Sequence, residues 1–182
     1  MIVVFLAEGF EEIEALTPVD VLRRAGFTVK TAAVGGGGLT VCGSHGIPVT
    51  ADLAAEDISA LADEIEMVVL PGGMPGAKHL DEDKTVDEVL KTAARAGKKL
   101  AAICAAPMVL GRRGLLAGRR ATCFPGFESE LKGAVVTGGR VEIDGGIVTA
   151  CGMGAATEFA LALTEVLKGG AAAEKMRAAI LA

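Results

Sequence analysis

Short runs of consecutive apolar residues alternate along this chain with longer segments in which apolar positions recur every three or four residues. Such runs predict strands buried on both faces, and such recurrence predicts amphipathic helices. Ile2–Leu6, Thr28–Val34, Met67–Leu70 and the run ending at Cys104 read as buried strands. Arg120–Cys123 reads as a further strand. Val141–Ile143 and Ile147–Ala150 flank Asp144-Gly145-Gly146, a hairpin signal. Helical periodicity covers Glu11–Ala25 and Asp83–Ala96, ended by Gly26 and Gly97. A helix also starts just after Cys104, a short one spans Gly126–Leu131, and alanine-rich helices span Ala155–Leu167 and Ala171–Ala179. Thr17-Pro18-Val19-Asp20 has the order cap, first-turn proline, acid, which predicts a kink or restart at Pro18. Gly35–Gly38 is a flexible turn, and Val41 to Thr50 holds short strands around Gly43-Ser44-His45-Gly46.

Strands spaced by helices of this length predict an α/β fold with a mostly parallel sheet covered on both faces. At 182 residues, with no long linker, charge block or internal repeat, residues 1–182 are expected to form one domain. Sites in such sheets lie at the carboxyl ends of strands. Three features fall there: Glu8–Glu14, Pro71-Gly72-Gly73 and Cys104.

Cys104 changes the picture most. It stands where an apolar strand stops and an apolar helix starts, in Leu100-Ala101-Ala102-Ile103-Cys104-Ala105-Ala106-Pro107. This is the arrangement of a nucleophile elbow with sulfur in place of a serine oxygen. Free N–H groups and partial positive charge at a helix start favour a thiolate, so the expectation is a lowered pKa. Gly72 and Gly73 let the backbone turn sharply and present N–H groups, which beside a nucleophile form an oxyanion hole. Glu14 follows the first strand next to Ile13 and Leu16, assigned here to the buried face. A carboxyl in such a cleft has a raised pKa and serves as a proton shuttle.

Composition narrows the partners. Half the residues are hydrophobic (51%), there is no Trp or Tyr, and the net charge is −5 with scattered basic residues. Neither nucleic acid nor an anionic membrane suits this surface. No apolar run reaches membrane-spanning length, and the apolar N-terminus meets Glu8 without a basic lead, so a cytoplasmic protein is expected. The four cysteines, Cys42, Cys104, Cys123 and Cys151, form no CxxC pair, so neither a thiol metal site nor a disulfide framework is expected. Of the two histidines, His79 lies among charged residues and reads as solvated, and His45 sits in a glycine-flanked turn beside a possible pocket. Neither follows Cys104 in the chain, so a Cys-His dyad needs the fold to supply one.

Several ordered segments carry a resemblance. They are Ala7-Glu8-Gly9-Phe10-Glu11-Glu12-Ile13-Glu14, Pro18-Val19-Asp20-Val21-Leu22-Arg23-Arg24-Ala25-Gly26, Val69-Leu70-Pro71-Gly72-Gly73, Ala101-Ala102-Ile103-Cys104-Ala105-Ala106-Pro107 and Glu158-Phe159-Ala160-Leu161. Over nearly its whole length the chain resembles the ThiJ/PfpI superfamily, in its parkinsonism-associated, deglycase-like branch. The resemblance implies a flavodoxin-like three-layer sandwich and a homodimer with Asp20 near its interface. It implies that Cys104 is the reactive cysteine, that Glu14 hydrogen-bonds its sulfur, and that Gly72, Gly73 and the Ala105 amide bind an oxyanion. The chain departs from the family at three pocket positions: Phe124 replaces a histidine found in some members, and His45 and Cys151 stand where arginines occur. The protease branch has a histidine directly after the nucleophile, where this chain has Ala105. Class I glutaminases need a late His-x-Glu, which this chain lacks.

The resulting expectation is a glyoxalase or deglycase-like enzyme without metal or cofactor, acting on methylglyoxal or glyoxal through Cys104 with Glu14 as shuttle. The alternative is a redox-responsive chaperone or sensor working by Cys104 oxidation. A cysteine peptidase or amidase ranks below both, for want of a flanking histidine.

Overall fold

The computed structural model describes residues 1–182. In chain order the elements are β1 (Ile2–Leu6), α1 (Glu12–Arg24), β2 (Val29–Ala33), β3 (Thr40–Cys42), β4 (Pro48–Thr50), β5 (Leu53–Ala54), β6 (Met67–Leu70), α2 (Gly76–Glu82), α3 (Lys84–Arg95), β7 (Lys99–Ile103), α4 (Pro107–Arg112), β8 (Arg120–Ala121), β9 (Val135–Val136), β10 (Val141–Asp144), β11 (Ile147–Ala150), α5 (Ala156–Lys168) and α6 (Gly170–Ile180). Three short 3-10 segments, Ala55–Glu64, Glu128–Glu130 and Met153–Ala155, complete the list.

Seven strands form one sheet in the order β10-β11-β7-β6-β1-β2-β5. All neighbours are parallel except the terminal β10–β11 hairpin. Alternation along β1 explains the layers. Ile2, Val4 and Leu6 pack in one core with Ala15, Val19 and Leu22 of α1 and with Phe159 and Leu163 of α5. Val3 and Phe5 point the other way, onto Ile58, Leu80, Val86, Leu90 and Val109. Successive side chains of a strand face opposite sides, so a run that is apolar throughout must be covered twice, and the result is a helix–sheet–helix sandwich.

Several boundaries differ from the sequence reading. α1 runs unbroken through Pro18, and its cap is Glu11, which accepts a hydrogen bond from the Glu14 amide at 2.9 Å. Burial of Pro18, Val19 and Leu22 against the sheet and α5 outweighs the one backbone bond that proline removes. α2 was not expected, because Gly76-Ala77-Lys78-His79 carries little helical periodicity. Asp83 ends α2 and then caps α3 by accepting from Val86. The segment predicted as a short helix over 126–131 is helical only at Glu128–Glu130, and the strand predicted over 120–123 is only Arg120–Ala121.

Ile13 overturns an expectation that matters for the site. It is 47% exposed, while Glu14 beside it is 1% exposed. The helical turn that points Glu14 into the molecule turns Ile13 out.

Candidate active site at the ends of strands β6 and β7

From β1 the chain passes to β2 on one side, and it later returns to β6 on the other. The crevice left at the carboxyl ends of β1 and β6 is the usual place for a site in this architecture. Glu14 enters it from α1, Gly72 and Gly73 from the end of β6, and Cys104 from the end of the neighbouring β7.

Cys104 has φ +64°, a left-handed conformation rare for a residue with a side chain. Such a backbone costs about 1–3 kcal/mol and persists where the surroundings dictate it. Two hydrogen bonds do so here: the Cys104 amide donates to the Ala150 carbonyl at 2.9 Å, and the Cys104 carbonyl accepts from the Phe124 amide at 2.8 Å. The side chain is thereby held at the turn between β7 and α4, half-buried.

The loop after β6 is cross-bonded to the start of α1. The Glu11 amide donates to the Gly72 carbonyl at 3.0 Å, and the Gly72 amide donates to Glu14 Oε2 at 3.0 Å. A side chain at position 72 has no room, since a Cβ there would lie 2.5 Å from Glu14 Oε2 and 2.6 Å from Cys104 Cβ. Gly73 has φ +84°, a conformation that suits glycine, and its amide is turned to the sulfur of Cys104, as is that of Ala105.

Burial raises the Glu14 carboxyl to about 7, and the carboxylate of Glu11 adds to the effect. Hydrogen bonds from Cys104 and from the Gly72 and Met153 amides pull the other way. The expected low pKa of Cys104 does not hold. Burial and then the charge and hydrogen bond of Glu14 push the thiol up to about 12, against the two amides. The six-residue α4 carries too short a dipole to offset a carboxylate in contact with the sulfur. The two groups therefore titrate as a pair. Once the pair has lost one proton, a single proton lies between oxygen and sulfur. Thiolate and carboxylic acid are one arrangement of that proton, stabilised by the Gly73 and Ala105 amides.

The other predicted pocket residues are placed less uniformly. Phe124 is 48% exposed and bonded through its amide to the Cys104 carbonyl. Cys151 is half-buried at the end of β11, its amide donating to the Arg140 carbonyl. His45 belongs to another cluster. Its Nδ1 lies 2.9 Å from Glu12 Oε2, and its amide donates to Glu12 Oε1. Burial alone would raise Glu12, but hydrogen bonds from the His45 ring and from nearby amides hold it down at about 2, and the same contact raises His45. Glu11, Glu12 and His45 are the one trio whose possible metal-ligating atoms lie within 4.8 Å of one another, and mutual hydrogen bonds account for the Glu12–His45 geometry. His79 Nδ1 lies 2.8 Å from the Glu8 carbonyl. Neither histidine is hydrogen-bonded to Cys104, and all four cysteines are free thiols.

Sequence reasoning named Cys151 as a pocket residue but missed the backbone groups on either side of it. The Met153 amide reaches Glu14, and Ala150 fixes the Cys104 backbone. Only the parallel pairing of β11 with β7 brings Ala150 beside Ile103. No motif within residues 150–154 announces it.

Known proteins share the sequence and fold of this chain. The model of the DJ-1/PfpI family matches residues 1–166. Protein DJ-1 homolog B of Arabidopsis thaliana is 41% identical over 90% of this chain, though the match spans only 37% of the plant protein. A protein named a deglycase from Pyrococcus abyssi is 34% identical, covering 81% of this chain and 87% of its own. The solved structure of Toxoplasma gondii DJ-1 in an oxidized state superimposes with a TM-score of 0.92 at 40% identity, covering 99% of this chain and 97% of that one. No helix is long and apolar enough to cross a membrane. With a matching family model over most of its length and the same parallel sandwich beneath its cysteine, the chain belongs to the DJ-1/PfpI family.

Proposed function

We propose that the protein is a cofactor-independent glyoxalase or deglycase-like enzyme acting on small 2-oxoaldehydes such as methylglyoxal and glyoxal. The observation that carries this is the buried Glu14 carboxyl set against the Cys104 sulfur beside the Gly73 and Ala105 amides. The Cys104 thiolate adds to the aldehyde carbon while the Glu14 acid gives its proton to the carbonyl oxygen, which leaves a hemithioacetal. The amides stabilise the oxygen as charge develops on it. Glu14, now a carboxylate, removes the proton from the former aldehyde carbon. The resulting enediol accepts that proton at the neighbouring carbon and becomes a thioester of a 2-hydroxy acid. Water cleaves the thioester to lactate or glycolate and restores the thiol. Cys104→Ala and Glu14→Gln should each lower glyoxal consumption by at least about 100-fold. Wild-type rates in a purified Cys104→Ala protein would end this reading.

A second reading is oxidation sensing or redox-responsive chaperoning through Cys104. Cys104 is half-buried, and Glu14 together with the two amides offers hydrogen bonds to sulfinate oxygens. The oxidized state named for the Toxoplasma relative supports it. A stable gain of two oxygens on Cys104 after mild peroxide, with negligible glyoxal turnover, selects this reading over the first.

The same proposal includes a homodimer in the cytoplasm. Ile13 and Ile47 are 47% and 52% exposed and border one shallow groove with Leu16, Asp20 and Val21, an apolar patch suited to a second copy.

A further inference from the structure

Three of the ten large apolar side chains exposed on this protein adjoin the cysteine–glutamate pair. Phe124 is 48% exposed and tied through its amide to the Cys104 carbonyl. Its ring lies over the turn after β11, since a Cβ on Gly152 would meet Phe124 Cδ2 at 3.3 Å. Met153, next in that turn, is 51% exposed while its own amide reaches Glu14. Met74, 50% exposed, follows the Gly73 amide that faces the sulfur. Phe124 and Met153 thus leave backbone bonded to Cys104 and Glu14 themselves, and Met74 leaves the residue next to the Gly73 amide.

The charge that acts on Glu14 from its neighbours is negative, from Glu11. No lysine or arginine is hydrogen-bonded to Cys104, Glu14, Gly72 or Gly73. The Arg140 guanidinium is committed to Glu158 at 2.9 Å and to the Gly154 carbonyl at 2.6 Å. His45 is committed to Glu12. A substrate carboxylate at the sulfur finds no cation bonded to the pair and meets Glu14 and Glu11 instead. A neutral substrate with an apolar substituent can leave its carbonyl at the sulfur and cover the exposed phenyl ring and thioether groups.

We infer that Phe124, Met153 and Met74 form an apolar lip that selects neutral 2-oxoaldehydes carrying an aryl or alkyl group, such as phenylglyoxal, over anionic ones such as glyoxylate. The substrate class rests on the carbonyl reading above, whereas the lip itself can be tested without turnover. The probes are N-phenyliodoacetamide, iodoacetamide and iodoacetate, with Cys104 alkylation followed by whole-protein mass, each rate divided by that of glutathione, and Cys104→Ala as the blank. The expected normalised preference is about 10-fold for the phenyl reagent over iodoacetamide, with iodoacetate about 10-fold slower than iodoacetamide. Phe124→Ser combined with Met153→Ser should bring the phenyl preference within about 3-fold of unity, while Phe124→Leu, which keeps apolar bulk and guards against misfolding, should retain most of it. Equal wild-type rates with the two amides, or a preference that survives the double serine change, overturns the lip. Phenylglyoxal and glyoxylate consumption is measured on the same proteins. A phenyl preference without consumption of either substrate retains the lip and removes the carbonyl reading. Consumption without a phenyl preference removes the lip alone.

Discussion

Gly72 lies so close to Cys104 that a single methyl group would not fit between them: a Cβ on Gly72 would sit 2.6 Å from Cys104 Cβ and 2.5 Å from Glu14 Oε2. That closeness lets one backbone turn donate to the Glu14 carboxyl from Gly72 and face the sulfur with the next amide, Gly73. Three chain segments thus converge on the pair with no spacer.

Gly72→Ala should therefore separate Glu14 from Cys104 more than it unfolds the protein. We expect a stability loss of about 1–3 kcal/mol by urea unfolding, as for overpacked interiors. The rate of Cys104 alkylation at neutral pH should fall by about 10-fold or more, because displaced groups lose their hydrogen-bonded alignment. A variant with wild-type alkylation kinetics would show that the contact is not needed.

The pH dependence of Cys104 reactivity separates the pair from a lone thiol. In the wild type, reactivity should rise as the pair loses its first proton near 7, the value to which burial raises Glu14, and rise again toward 12 as the last proton leaves. Glu14→Gln cannot share a proton. It should abolish the step near 7 and leave one transition, below 12 because the carboxylate is gone and above the ordinary thiol value because the burial remains. Stopped-flow alkylation from pH 5 to 10 reads the step near 7 directly, and an unchanged step there in Glu14→Gln would assign it elsewhere.

Stability should carry the same signature with a defined sign. The Glu14 value, raised from 4.5 to about 7, means that the folded protein holds this proton more tightly than the unfolded chain. Its contribution is complete below about 4.5 and is lost as pH rises through about 7. Glu14→Gln should thus gain on the wild type by up to about 3 kcal/mol between pH 5 and pH 8. Glu12, held near 2, acts in the opposite sense: its contribution is present above about 4.5 and lost as pH falls through about 2. Urea midpoints across this range check both, and a constant difference between Glu14→Gln and wild type would contradict the buried-acid assignment.

Arg113 ties the helix after the cysteine to the helix after the glycine loop. Its guanidinium donates to Asp81 at 2.7 Å, to Asp87 at 2.8 Å and to the Val109 carbonyl at 2.9 Å, and its side chain is only 10% exposed. Arg113→Met leaves Asp81 with only Arg112 as a cationic partner. We expect a loss of about 2–4 kcal/mol, characteristic of a shielded charge that loses its partner, measured as a lower urea midpoint. A loss below about 0.5 kcal/mol would place this network with ordinary surface pairs.

Ile13→Glu tests the proposed dimer face. Sedimentation of the wild type should report two copies per particle, and the charged side chain should shift the population to single copies at micromolar concentration. A wild-type monomer at that concentration would remove the dimer from the proposal.

How much of this was legible beforehand follows from where each constraint is written. The strands with apolar residues at every position, such as Ile2–Leu6 and Met67–Leu70, declared a sheet covered on both faces. The break of the apolar run at Cys104 declared a strand-to-helix junction. Glu14, Gly72 and Cys104 were recognisable through residue type and position at strand ends. The orientation of Ile13 was not, because an apolar residue beside a buried acid reads as core until the turn of α1 is fixed. Nor was the thiol pKa. A helix start argues for a thiolate, but the carboxyl that opposes it comes from a residue ninety positions earlier and meets the sulfur only through the fold. The same holds for the Met153 amide and the Ala150 carbonyl, whose contacts depend on β11 pairing with β7.

By itself, then, the amino-acid sequence determined the layer architecture, the element order and the chemical types available at the strand ends, because periodicity and turn residues act over a few neighbours. Tertiary structure alone decided the left-handed backbone of Cys104, the burial of Glu14 beside the sulfur, and the exposure of Phe124, Met153 and Met74. Those depend on burial and on contacts between segments far apart in the chain, and no local pattern specifies how much water a carboxyl or a thiol will lose.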